Sequence, residues 1–466
     1  MWADRWASVI GVGYQISLCN ATSAMVLPDL KQDLHFTAEG FQNVILPRPQ
    51  PEWSREFRLR AFETFQELPW PNRSMEEWRR TELRIFHLEN FVCWAPVPDP
   101  LPEVPSALAP RLETAGRIVT LNGRKISSSV EEDLLEKGLV VECLEDSLSG
   151  PHEELIRQHL WSLFEWRTDK FSALHAAFWT GGTFIYVPPG LKVEKPILHV
   201  AALAANQADV GHTLIVVDEE AEATVVTETT SLDPAAEGLF CGGIEIFVRP
   251  GARLRYVNFQ NWNQKTFHFA RQKAEVAERA FMEWTLGALG GRLAKVNQEV
   301  VLNGPESEAI VNGVMFAEDR QHLAYHTRQD HRTGQTKSDL LYKGALQDHA
   351  HLVWRGMIRV EPGAIRSDGY QRNDNLMLSD TARVDCIPGL EILADDVRCT
   401  HGATAGRVDE EEIFYAQTRG LTRREATRLV VTGFFQQVLD RITIDSVREA
   451  LGDIIQQRVR EYRSRD

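Results

Sequence analysis

Along residues 51–90 the apolar side chains Trp53, Phe57, Phe62, Phe65 and Leu68 recur at helical steps, which predicts a helix with one buried face. Ser74 and Glu77 have capping-box spacing and predict a second helix after it. The prolines of 95–110 forbid a regular helix or a central strand, so that stretch reads as a linker or an extended covering arm. Asn122-Gly123 marks a small hairpin, and PHEELIRQHLWSLFEW a further helix. Together, 51–168 forms an N-terminal helical region. The pattern changes at 169–400, where short β-rich runs such as TFIYVP, HTLIVV, IEIFV and HLVWRGMIRV alternate with brief turns. A polar or Pro-Gly turn, then Ala and an apolar run, recurs in DEEAEATVV, RPGARLRYV, AERAFMEW and QDHAHLVW. A unit of this kind cannot bury its own apolar face, so stacked coils of a solenoid are the natural solution, with a β-sandwich or double-barrel cupin as alternatives. Helical signals return over 401–466. Asp409 with Glu412, Thr422 with Glu425, and Ser446 with Glu449 read as three N-terminal caps, and Gly420 as a stop. Leu429, Val430, Phe434 and Val438 form the expected buried stripe of the middle helix. The predicted fold is mainly β, a parallel solenoid (β-helix) core flanked by N-terminal and C-terminal helical regions.

Composition narrows the function classes. A formal net charge of -15 argues against nucleic acid, whose phosphates call for a basic surface. The 43% hydrophobic and 25% charged content is that of a globular protein, and no apolar run is long enough to span a bilayer. Six cysteines, Cys19, Cys93, Cys143, Cys241, Cys386 and Cys399, are scattered with no Cys-x-x-Cys pair, which fits reduced thiols of a cytoplasmic protein. Residues 1–50 read as an N-terminal extension, loosely ordered, because Asp4 and the interrupting polar residues fit a targeting segment poorly.

The chemistry concentrates at RCTHGAT, where Cys399 and His401 stand at i and i+2 ahead of a capped helix. In an extended segment both side chains project to one side, and a soft thiolate beside an imidazole suits zinc, copper or iron–sulfur ligation. Two donors are half of the roughly four that a closed site takes. A structural thiol and a hydrogen-bonded core histidine are the plainer reading of the spacing. His322, His326, His331, His349 and His351 invite a second metal hypothesis, with His349 and His351 on one strand face. No carboxylate follows until Glu361, however, so a cupin site is not formed. Turn and ladder contacts are then their expected role. The chain has no phosphate-binding Gly-x-x-x-x-Gly-Lys-Ser/Thr loop, which predicts that it does not bind ATP, and no Gly-x-Ser-x-Gly elbow. Arg366, Asp368, Arg372 and Asp374 could imitate the charged face of a β-helix carbohydrate enzyme, but read more simply as a solvated ladder.

ADDVRCTHGATAGRVDEEEIFYAQTRG, with QRNDNLMLSDTARVDCIPGLEI upstream and PEWSREFRLRAFETFQELPWPNRSMEEWRRTEL near the other end, resembles the SufB/SufD family of iron–sulfur cluster assembly scaffolds. Gly402 stands where SufB-type members tend to carry an acidic residue, which favours the SufD branch over the SufB one. The resemblance implies a β-helix and a non-catalytic scaffold subunit. It also implies partners: a SufB-like subunit, a SufC-like ATPase docked on the C-terminal helices, and a homodimer when the chain is isolated. Cys399 and His401 become candidate interface ligands of an iron–sulfur cluster that is transient and shared with a partner.

Overall fold

The computed structural model describes residues 34–460. The candidate targeting stretch, with Asp4 and Cys19, lies outside them. Two long sheets carry the chain, each built from every second strand. The first runs from the hairpin Gly116–Leu121 and Arg124–Val130 through Ile197–Leu203, Glu222–Ser231, Arg253–Asn261, Phe281–Ala288, Glu308–Ala317, Lys337–Leu346 and Asp368–Met377 to Arg398–Arg407. The second begins at Val140–Cys143 and Gly182–Val187 and ends in His322–His331, His351–Val360 and Arg383–Ile392. Beyond the opening hairpin and the antiparallel Val140–Cys143 pairing, every ladder is parallel. Each coil consumes roughly 30 residues, inside the range of solenoid repeats: Arg253, Phe281, Glu308, Lys337, Asp368 and Arg398 stack in one column. The architecture is thus a parallel β-solenoid flanked by helices, and sandwich and cupin are excluded.

The turn-then-alanine repeat has a backbone cause. At one corner of successive coils a residue takes positive φ, as Glu220, Arg279 and Glu306 do. The next residue is small and fully enclosed: Ala221, Ala280 and Ser307. A larger side chain there would strike the coil below, because strands stack only about 4.8 Å apart. Inward positions fill the bore with large side chains, including Tyr256, Trp284, Tyr325, Tyr342 and Trp354, all but unexposed.

The helical regions clad the two outer faces. On the second sheet lies an aromatic cluster in which Phe178 of the helix Lys170–Phe178 meets Phe36, Phe41, Phe62 and Phe65 edge-on. Phe36, Phe41, Val44 and Ile45 are buried, so the later part of 1–50 packs as part of the fold. Only Glu52–Glu67 of 51–90 forms a long helix. The Ser74 cap is not realised: Ser74 turns onto Asn72 Oδ1, and a single 3-10 turn, Glu76–Trp78, follows. That turn drops Trp78 onto Phe171, where stacking replaces helix propagation. The proline-rich arm covers the first sheet and is pinned by buried Glu228, whose carboxylate accepts from Ser106 Oγ and the Ala107 and Leu108 N–H groups.

At the C-terminal side, Glu410–Thr418, Arg423–Leu439 and Asp445–Arg458 pack on the other outer face. Asp409 caps the first helix and Thr422 with Glu425 closes a full capping box on the second. Ser446 does not cap the third helix, which starts at Asp445 with Ile444, two residues before Ser446, at its cap. The buried stripe of the middle helix is Val431, Phe435, Val438 and Leu439. Val430 and Phe434 are half-buried at its flank and Leu429 is 58% exposed, so the helix is rotated about one position from the stripe read in sequence.

Candidate functional site at the open end of the solenoid

Cys399 and His401 lie on Arg398–Arg407, the last strand of the first sheet, opposite Gly369 and Gln371 of the preceding coil. The strand continues to Arg407, so His401 belongs to the solenoid and not to the helical unit placed at 401–466. Both point to the inner side, as the alternation requires: Gly369, Gln371 and Asn373 in the coil above are buried. Their surroundings differ. Cys399 packs against the buried cluster of Ile358, Val360 and Ala364, as Leu390 does from the other sheet, and burial raises its thiol pKa. His401 is exposed, because no further coil covers it. Gly402 has open space where a side chain would stand.

The other sheet ends alongside in Arg383–Ile392, whose inner positions include Cys386 and Leu390. Cys386 lies between Asn375 Nδ2 at 3.1 Å and Asn373 Oδ1 at 3.2 Å, and burial pushes its thiol up to about 11. Gln371 Nε2 bridges the two sheets by donating to the Gly389 carbonyl at 2.9 Å, while its Oε1 has no partner. Behind Cys399 the packing is close enough to favour glycine at 369: a Cβ there would meet Ile358 Cγ2 at 3.0 Å, Cys399 Sγ at 3.3 Å and His331 Nε2 at 3.4 Å. His331 is held by Thr336 and Ser338 hydroxyls, and burial lowers it to about 4, so it is a neutral wall of the site.

Among the described residues no three His, Cys, Asp or Glu side chains converge to hold a metal ion. Cys399 and His401 therefore stand as two potential donors at the edge of the sheet, short of the roughly four that a closed site takes. Among the described residues neither terminal strand has a strand neighbour on its outer edge, and such an edge is a template for strand addition.

The remaining histidines are distributed. His349 sits in the turn before His351–Val360, so it does not share a strand face with His351. His351 instead joins His322 through Nδ1 at 2.9 Å and Asp385 through Nε2 at 2.7 Å, a chain across three coils on the outer face. Stacking at the coil period was the signal for this grouping: His322 and His351 are register partners.

A parallel two-sheet solenoid clad by helices, with a thiol and an imidazole on its last strand, defines the class of protein. The SUF system FeS cluster assembly SufBD core domain matches residues 200–434, and the SufBD protein N-terminal region matches 42–198. The chain belongs to the SufBD family of iron–sulfur cluster assembly proteins. It is 28% identical over 418 residues to the iron-sulfur cluster assembly protein SufB of Bacillus subtilis, covering 86% of this chain and 88% of that one. Family members of Staphylococcus epidermidis (28%, 84% of this chain and 86% of theirs) and Staphylococcus aureus (27%, 83% and 85%) are similar over the same extent.

Proposed function

We propose that this chain is the SufD-type, non-catalytic scaffold subunit of a cytoplasmic assembly complex. It pairs its open solenoid end with a SufB-like subunit, and the two share a transient iron–sulfur cluster as cargo. The observation that carries this reading is the half-site: Cys399 and His401 on an uncovered strand, with no third ligand among the described residues. Gly402 after the histidine supports the SufD-type assignment. A SufB-like, cluster-carrying role is the second reading, favoured by the name of the Bacillus subtilis relative. A SufC-like ATPase fits the C-terminal helices, where Phe414, Tyr415 and Leu429 are 68%, 61% and 58% exposed. Co-expression with SufB-like and SufC-like chains tests this reading. A stable complex of all three, with iron loading dependent on His401, is the expected result. Homodimers of this chain that load iron without a second type of subunit would favour the SufB-like reading.

A further inference from the structure

Away from the open end, a cavity of about 30 Å³ lies between the N-terminal region and the outer face of the second sheet. That is room for one water or one halide ion. Its walls are largely aromatic, with Trp78, Trp161, Phe171 and Phe269 among them. The polar groups that line it are mostly satisfied. Arg271 gives Nε to Ser172 Oγ at 2.6 Å and a second nitrogen to Asp169 at 3.0 Å, so that cation and that carboxylate neutralise each other.

Lys295 is the exception. It is 4% exposed, and its ammonium donates to the neutral Asn297 Oδ1 at 2.8 Å, with the Trp78 ring face 5.7 Å away. No carboxylate lies within ion-pair distance of it among the described residues. A buried ammonium without an ion-pair partner is unfavourable or sheds its proton, and desolvation lowers this one to about 7, against the more distant attraction of Glu77 and Asp169. Trp161, on the same cavity wall, holds an indole N–H that is also buried and without an acceptor. An ammonium with no ion-pair partner and an indole N–H with no acceptor thus line one space of single-ion size.

We infer that this cavity binds a small monovalent anion, held by the Lys295 ammonium and the Trp161 indole N–H, which ties the N-terminal region to the solenoid. The inference is independent of the cluster site. Chloride-35 line broadening on the full chain, titrated at constant ionic strength, should be saturable. Lys295→Met should weaken that binding at least about tenfold, the equivalent of about 1.4 kcal/mol, whereas Lys295→Arg should retain it. Should Lys295→Met fail to fold by circular dichroism, Trp161→Phe, which keeps the ring and removes the donor, should weaken binding instead. A bromide-soaked crystal should place an anomalous peak beside Lys295 Nζ. Unsaturable broadening, equal broadening in the variants, or an adventitious ion only, bound at soaking concentration and elsewhere, would each overturn the site.

Discussion

The two ends of the solenoid are built from the same alternating strands and finish in opposite ways. At the N-terminal end the short helix Glu132–Glu136 lowers Leu134 over the bore, Leu139 and Val141 complete a plug, and a hairpin and an antiparallel strand close the edges. Asn122 and Gly123 make that hairpin turn with φ of 51° and 78°, and a Cβ on Gly123 would lie 2.4 Å from the Thr180 carbonyl oxygen. At the C-terminal end no further strand among the described residues covers Arg383–Ile392 or Arg398–Arg407, and Ile392 and Leu393 are 41% and 48% exposed. Solenoids ordinarily need caps at both ends. The candidate ligands sit on the end that no described residue covers, which is the observation behind the proposed pairing with a partner.

If the plugged end serves stability and the open end serves partners, substitutions should separate the two. The largest effect is expected at Leu139, unexposed within the plug: Leu139→Ala should lower unfolding free energy by about 2–5 kcal/mol in a denaturant titration, without loss of partner binding by the folded fraction. Asp209, also buried near the hairpin, has its carboxyl raised to about 6 by desolvation. A raised acid contributes stability below the unfolded value near 4 and loses it as pH rises through 6. Asp209→Asn, which keeps the oxygen that accepts from Gly211 N–H, should therefore stabilise the protein at pH 8 by up to roughly 3 kcal/mol and leave it unchanged at pH 4. Equal effects at both pH values would refute burial of an ionised Asp209.

At the other end, stability effects should be small and binding effects large. Removing 409–466 is not a clean test of ATPase docking, because Val431, Phe435, Leu451 and Ile455 bury the outer sheet residues Val257, Phe259, Val314 and Phe316. Phe414→Lys with Tyr415→Lys spares that packing and should weaken co-purification with a SufC-like ATPase by tenfold or more, about 1.4 kcal/mol. Undiminished binding would move the docking surface elsewhere. Cys399→Ser should be the mildest for folding, at about 1 kcal/mol, because its surroundings are only half closed; thermal melts beside thiol-labelling rates would check it.

Much of this division was legible in the chain. The turn-then-alanine repeat announced stacked coils, and Cys399-x-His401 announced two side chains on one strand face. What sequence could not supply was register. Only the coil period reveals that His351 stacks on His322, and only packing beyond the coil brings Cys386 to Asn373 of the facing sheet and Lys295 to Trp78 of the N-terminal region. Ser74 and Leu429 depart from their local pattern for one reason: capping and periodicity compete with tertiary packing, and a Trp78–Phe171 stack or a one-position rotation of a helix on its sheet outweighs them.

The central claim is that the open end carries half a site. Its most direct test is anaerobic reconstitution with iron and sulfide of the isolated chain, held monomeric, and of the chain with a SufB-like partner. Iron and sulfide content and visible absorption would be read together. The half-site predicts no stoichiometric cluster on the monomer, loading in the complex, and loss of that loading in His401→Ala with the complex intact. A durable, stoichiometric cluster on the monomer, or full loading of the His401→Ala complex, would contradict it.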